Sequence, residues 1–138
     1  MLAVITVQFA TFAEYGQQWF ACTSPDARGF YLAYTDLERT LSLIRPLASV
    51  LLSERKGLFL TANPFDRKLM LEKRSCLVTL ERGPMIPTID AAAGVFMSSP
   101  TGETFFVPKQ PIEGEDRVCA TIANRIAREM WGAENPRY

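Results

Sequence analysis

Histidine is absent from all 138 residues, and that absence removes much familiar chemistry. It is the side chain whose unperturbed proton affinity lies nearest neutral pH. Without it the Ser-His and Cys-His nucleophile arrangements have no base. Structural zinc sites lose one of their two usual ligand types. The three cysteines, Cys22, Cys76 and Cys119, are odd in number and have no CxxC spacing. They read as reduced thiols used as small buried hydrophobes. An excess of one charge is missing too. Fifteen Lys and Arg balance fifteen Asp and Glu, so no overall field draws the chain onto nucleic acid or a membrane. No apolar run approaches the ~20 residues of a membrane span. The opening MLAVITVQFATFAEYG lacks the basic flank of a signal peptide, which makes a cytoplasmic location the expectation. Neither GxxxxGKS/T nor GxGxxG occurs, so no phosphate cradle and no cofactor is implied.

What is present is ordinary for a folded chain: 48% of residues are hydrophobic and 22% charged. Length favours one domain over 1–138. LAVITVQFA, residues 2–10, is rich in β-branched and apolar residues and reads as a strand, followed by a turn at Gly16-Gln17. Residues 18–23 form a second strand carrying Trp19 and Phe20, ended by Ser24-Pro25, because proline donates nothing to a ladder. Asp26 can bond its own backbone, and Gly29 can take positive φ before a third strand at 30–34. The three strands predict an antiparallel meander.

Thr35-Asp36-Leu37-Glu38 fits a capping box, with Thr35 as N-cap and Glu38 reaching back. Leu37, Leu41, Ile44, Ala48 and Leu51 then recur on one helical face. Pro46 should kink or divide this helix near Ile44-Arg45. Residues 58–62 read as a fourth strand. Asn63-Pro64-Phe65-Asp66 begins either a helix or a hairpin turn. Residues 76–81 alternate as a strand, and Gly83, Pro84 and Pro87 mark the best internal boundary. Residues 95–97 and 104–107 predict a hairpin, and Val118, Ile122, Ile126 and Met130 predict a carboxy-terminal amphipathic helix over 115–131. The expected fold is α+β: a small antiparallel sheet (a β-β-β-α-β start) with helices on one face.

The stretch WFACTSPDARGFYLAYTDLERTLSLI resembles HicB-like antitoxin domains. In that family a strand and an aromatic-containing strand lead to SPDxxG, a short strand and a Thr-led helix. Trp19, Ser24, Pro25, Asp26, Gly29, Thr35 and Leu37 fall at matching positions. The likeness covers about residues 2–62, within a core of 1–82, with 84–138 as a hairpin and helix extension. It implies a partial ribonuclease-H-like fold without catalysis, which binds and neutralises a toxin ribonuclease. Arg28 stands where the family usually has Pro, and 84–138 shows no helix-turn-helix or ribbon-helix-helix, so DNA-binding autoregulation does not carry over.

A working ribonuclease-H-like site needs three or four convergent carboxylates around two metals. Here Glu14, Asp26, Asp36, Glu38, Asp66, Glu72 and Asp90 are scattered, none inside the expected first strand. Neither metal nor catalytic residues are assigned. What the resemblance implies is non-catalytic inhibition of a protein partner, with Trp19, Asp26, Arg28, Asp36 and Trp131 as partner-binding candidates; a homodimer through a self-pairing sheet edge is a further expected assembly. A phage- or mobile-element-encoded inhibitor of a host defence complex is the alternative of another class. A third reading is single-stranded nucleic-acid binding through Arg55, Lys56, Arg67, Lys68, Lys73 and Arg74, with Phe59 and Phe65 interleaved. The competing explanation of that segment is a solvated surface. Ser42, Ser49 and Ser53 lack a neighbouring base and read as ordinary helix-surface residues.

Overall fold

The alternation that begins in LAVITVQFA continues beyond it. In the computed structural model, which describes residues 3–14, 16–83, 89, 92–98, 100 and 102–109, β1 spans Ala3–Glu14. Ile5, Val7 and Phe9 face the core while Val4, Gln8 and Ala10 face out, the period of two that a half-buried strand requires. The first strand thus includes Glu14, which the shorter expected strand left out. Gly16, at φ 71°, turns the chain into β2 (Gln17–Thr23). Then come β3 (Tyr31–Tyr34), α1 (Leu37–Ser42), α2 (Ile44–Lys56), β4 (Leu60–Ala62), α3 (Arg67–Lys73), β5 (Ser75–Arg82), β6 (Gly94–Ser98) and β7 (Thr104–Pro108). The architecture is α+β. Five strands lie in the order β3-β2-β1-β5-β4, every neighbouring pair antiparallel.

The long helix divides as Pro46 requires. A continuous helix would need an amide hydrogen at position 46 for the Ser42 carbonyl, and proline has none. The break falls at Leu43, and the Leu47 N–H opens the new ladder on the Leu43 carbonyl at 3.0 Å. The capping box does not form. Asp36, one residue later than expected, is the N-cap, its Oδ1 accepting the Glu38 N–H at 3.0 Å. Glu38 then sits too early to reach back, and its carboxylate takes Arg67 at 2.8 Å instead. The α3 helix starts after Asp66, whose side chain accepts the Leu69 N–H at 3.0 Å. Asn63 cannot cap it because it extends the sheet, donating from its backbone N–H to the Thr79 carbonyl and from Nδ2 to Thr79 Oγ1, both at 2.8 Å.

One core cluster joins Ile5, Val7 and Phe9 to Leu41, Ile44, Leu47, Ala48 and Leu51 of the divided helix, to Met70 of α3 and to Leu32 and Val78. A second, on the opposite sheet face, joins Trp19, Ala21, Tyr31 and Ala33 to Phe105 and Val107 of β7. β7 packs against β3, and its Phe106 N–H donates to the Gly29 carbonyl at 3.2 Å. Lying beside the sheet edge, it feeds alternate residues into both cores: Phe105 and Val107 into one, Phe106 into the other. The expected helix at 115–131 lies outside the described residues.

Candidate functional site

The SPDARG loop is the natural starting point, and its carboxylate has structural work. Pairing of β1 with β2 ends at Gln8 opposite Thr23, so two residues earlier β1 has no strand on that side. The Asp26 Oδ2 fills the gap, accepting the Thr6 N–H at 2.6 Å. Ser24 supports the turn, its Oγ accepting the Asp26 N–H at 3.3 Å. The loop therefore caps the end of a sheet ladder with a charge-assisted bond.

Around it the end of α2 forms a clamp. Arg55 donates to the carbonyls of Arg28 and, at 3.0 Å, of Thr104, while Glu54 accepts the Thr104 hydroxyl at 2.6 Å. Burial pulls the Arg55 guanidinium below its ordinary pKa, with Glu103 and Glu54 acting in the opposite sense. Arg28 itself reaches Glu103 at 3.8 Å from an exposed position, an arrangement worth little in stability.

The other partner-binding candidates are dispersed. Trp19 is only 1% exposed, stacked on Phe12 at 6.0 Å, with Nε1 donating to the Glu14 carbonyl. It works in the interior rather than on a surface. Asp36 is exposed but engaged as the α1 cap, and Trp131 lies outside the described residues.

The basic segment does not gather into one patch. Arg55 is at the carboxy-terminal end of α2, bound to the loop and β7. Arg67 is near the opposite end, paired with Glu38, across a helix that at ~1.5 Å per residue spans roughly 20 Å. Arg74 lies over the Phe9 ring at 5.5 Å, and Phe65 packs partly into the core. Lys56, Lys68 and Lys73 are exposed.

Sequence reasoning misplaced two serines. Ser49 and Ser53 are 1% and 3% exposed, not on the helix surface. Ser49 Oγ accepts the Ala62 N–H at 2.8 Å, and Ser53 Oγ accepts the Leu60 N–H at 2.8 Å and donates to the Leu60 carbonyl at 3.0 Å. Arg45 Nε adds a bond to the Ala62 carbonyl at 3.1 Å. Residues 45, 49 and 53 stand four apart, so one stripe of α2 closes the free edge of β4 with side chains. The signal was legible: both serines sit at helical spacing beside the apolar face.

The sheet's two edges are thus occupied, β4 by α2 and β3 by β7. Beyond the five-stranded sheet, β6 pairs only with β7, which leaves its outer edge without a strand partner among the described residues. No family model, curated protein or solved structure matches the chain. On β6, Val95, Phe96 and Met97 are 37%, 40% and 46% exposed, so apolar side chains show on both faces. Phe96 contacts Phe106 edge-on at 5.2 Å, which anchors the strand to the core. β6 itself, Gly94–Ser98, contains no charged residue, so it lacks the lysines and other charges that commonly blunt an exposed edge. Among the described residues no three Cys, Asp or Glu side chains gather as a metal-ligand set, and no helix is long and apolar enough to cross a membrane.

Proposed function

We propose that this chain acts by binding and occluding a protein partner, as the resemblance to HicB-like antitoxins implies, with a toxin ribonuclease as the partner class. The observation that carries the reading is the β6 edge, which has no strand partner beyond β7 among the described residues, carries no charged side chain and is apolar on both faces. Such an edge offers main-chain hydrogen bonds for affinity and side chains on alternate faces for selectivity. The carboxylates support the same view. Asp26, Asp36 and Asp66 each hold a backbone N–H, and Glu38 and Glu54 hold Arg67 and Thr104, so their side chains are spent on the fold. The expected carboxy-terminal helix and a cytoplasmic location belong to this proposal.

The test is capture of partners by the tagged chain from its native host, beside a Phe96→Glu variant. One small protein recovered at fixed stoichiometry and lost with Phe96→Glu is the expected result. A large defence assembly recovered instead would favour the phage-type inhibitor. Recovery of the chain alone, with no partner in either sample, would overturn the binding reading.

A further inference from the structure

Across the break between α1 and α2 lies an open cleft of about 390 Å³, lined in part by Leu41, Arg45, Pro46, Pro64, Phe65 and Arg67. That volume falls within the range of small-molecule sites. Two guanidiniums and no carboxylate line it. Arg45 is held in orientation by its Nε bond to the Ala62 carbonyl, and its terminal nitrogens have no partner among the described residues. Arg67 spends Nη1 on both Glu38 oxygens, at 2.8 and 2.9 Å, which leaves Nη2 unengaged among those residues.

The charge is also poorly placed for a helix. Arg45 stands in the first turn of α2, which has no acidic residue and no side-chain cap from Leu43. Arg45 is therefore a fixed cation that no neighbouring side chain in its own helical turn neutralises. Leu41, Pro46, Pro64 and Phe65 supply apolar lining to the same cleft.

We infer that this cleft binds a small molecule carrying one phosphate or carboxylate on an apolar ring or chain. The anion meets Arg45, with Arg67 as the second cation, and the apolar body lies against Phe65 and the prolines. The site is independent of the β6 edge and stands or falls separately from partner binding.

Titration of the full-length chain, followed by amide NMR, tests this with phenyl phosphate, benzoate, inorganic phosphate and phenol. Phenyl phosphate or benzoate should shift the amides of Ser42, Arg45 and Phe65, and the tighter of the two identifies the anion. Inorganic phosphate should bind roughly tenfold more weakly, because it leaves the apolar lining uncovered. Affinity should fall with added salt. Because Arg45 also holds β4, Arg45→Lys and Arg67→Ala accompany Arg45→Ala, and Arg67→Ala should weaken binding about threefold or more with the fold intact. Absence of cleft shifts at ~10 mM of either aryl anion, or equal shifts from phenol, would overturn the inference. So would unchanged affinity in both Arg45→Lys and Arg67→Ala.

Discussion

Replacing Gly29 with alanine tests the role of the SPDARG loop. Gly29 has φ 86°, and a Cβ there would lie 2.7 Å from the Thr104 carbonyl oxygen and 2.8 and 2.9 Å from Cβ and Cα of Phe105. Left-handed backbone alone costs an alanine about 1 kcal/mol. The steric part is larger, because the obstructing atoms belong to the backbone and Cβ of β7 rather than to a flexible side-chain tip. To restore ordinary contact, β7 must retreat by roughly 0.5–1 Å, a gap that forfeits a quarter to a half of the dispersion energy across it. Phe105 and Val107 are 5% and 3% exposed, so loosening both costs about 1–2 kcal/mol. The Phe106 N–H bond to the Gly29 carbonyl, 3.2 Å long, contributes ~1 kcal/mol more. The expected loss is therefore about 3–4 kcal/mol. Gly16 supplies the control: its φ is 71° but an added Cβ meets nothing within 4 Å, so Gly16→Ala should cost only about 1 kcal/mol. Urea unfolding followed by tryptophan fluorescence measures both. Equal losses in the two variants would refute the close approach of β7 to the loop.

Two further perturbations separate structural from surface roles. Ser53→Ala should cost about 2 kcal/mol in the same urea assay, because it strands both the N–H and the carbonyl of Leu60 beneath α2; a change within ~0.5 kcal/mol would be that of a surface residue. Burial pushes the Cys22 thiol from 9.0 up to about 12. Below pH 9 the thiol is protonated in both states, whereas above it the unfolded chain loses the proton first, so stability falls as pH rises. The contribution lost by pH 10 is about 1.4 kcal/mol. Denaturation midpoints at pH 8 and pH 10 should show that extra loss in the native chain and not in Cys22→Ala; parallel losses would count against the buried thiol.

Local chemistry was legible where one residue decides the outcome. Pro46 divides the helix because it has no N–H, and Gly16 and Gly29 take the positive φ their turns require. The capping box failed because two adjacent residues, Thr35 and Asp36, can both cap, and the Arg67–Glu38 pair connects residues far apart in the chain. The basic segment misled for a related reason. Nearness in sequence says little when β4 and a loop intervene, and α2 and α3 send Arg55 and Arg67 to different neighbours. Nor did spacing alone reveal the cleft, since it brings the α1–α2 break together with β4 and the loop before α3.

The amino-acid sequence by itself determined the alternation of β1, the meander, the divided helix and the late hairpin. Each depends on periodicity, on proline or on glycine, whose effects act within a few residues. The tertiary structure settled which edges of the sheet are closed, which cations are spent and which apolar strand has one unpaired edge among the described residues. Those outcomes depend on backbone N–H and carbonyl groups finding partners far along the chain. A serine on α2 becomes part of a sheet edge only when β4 folds back beneath it, and among the described residues β6 is left outermost because β7 lies against β3.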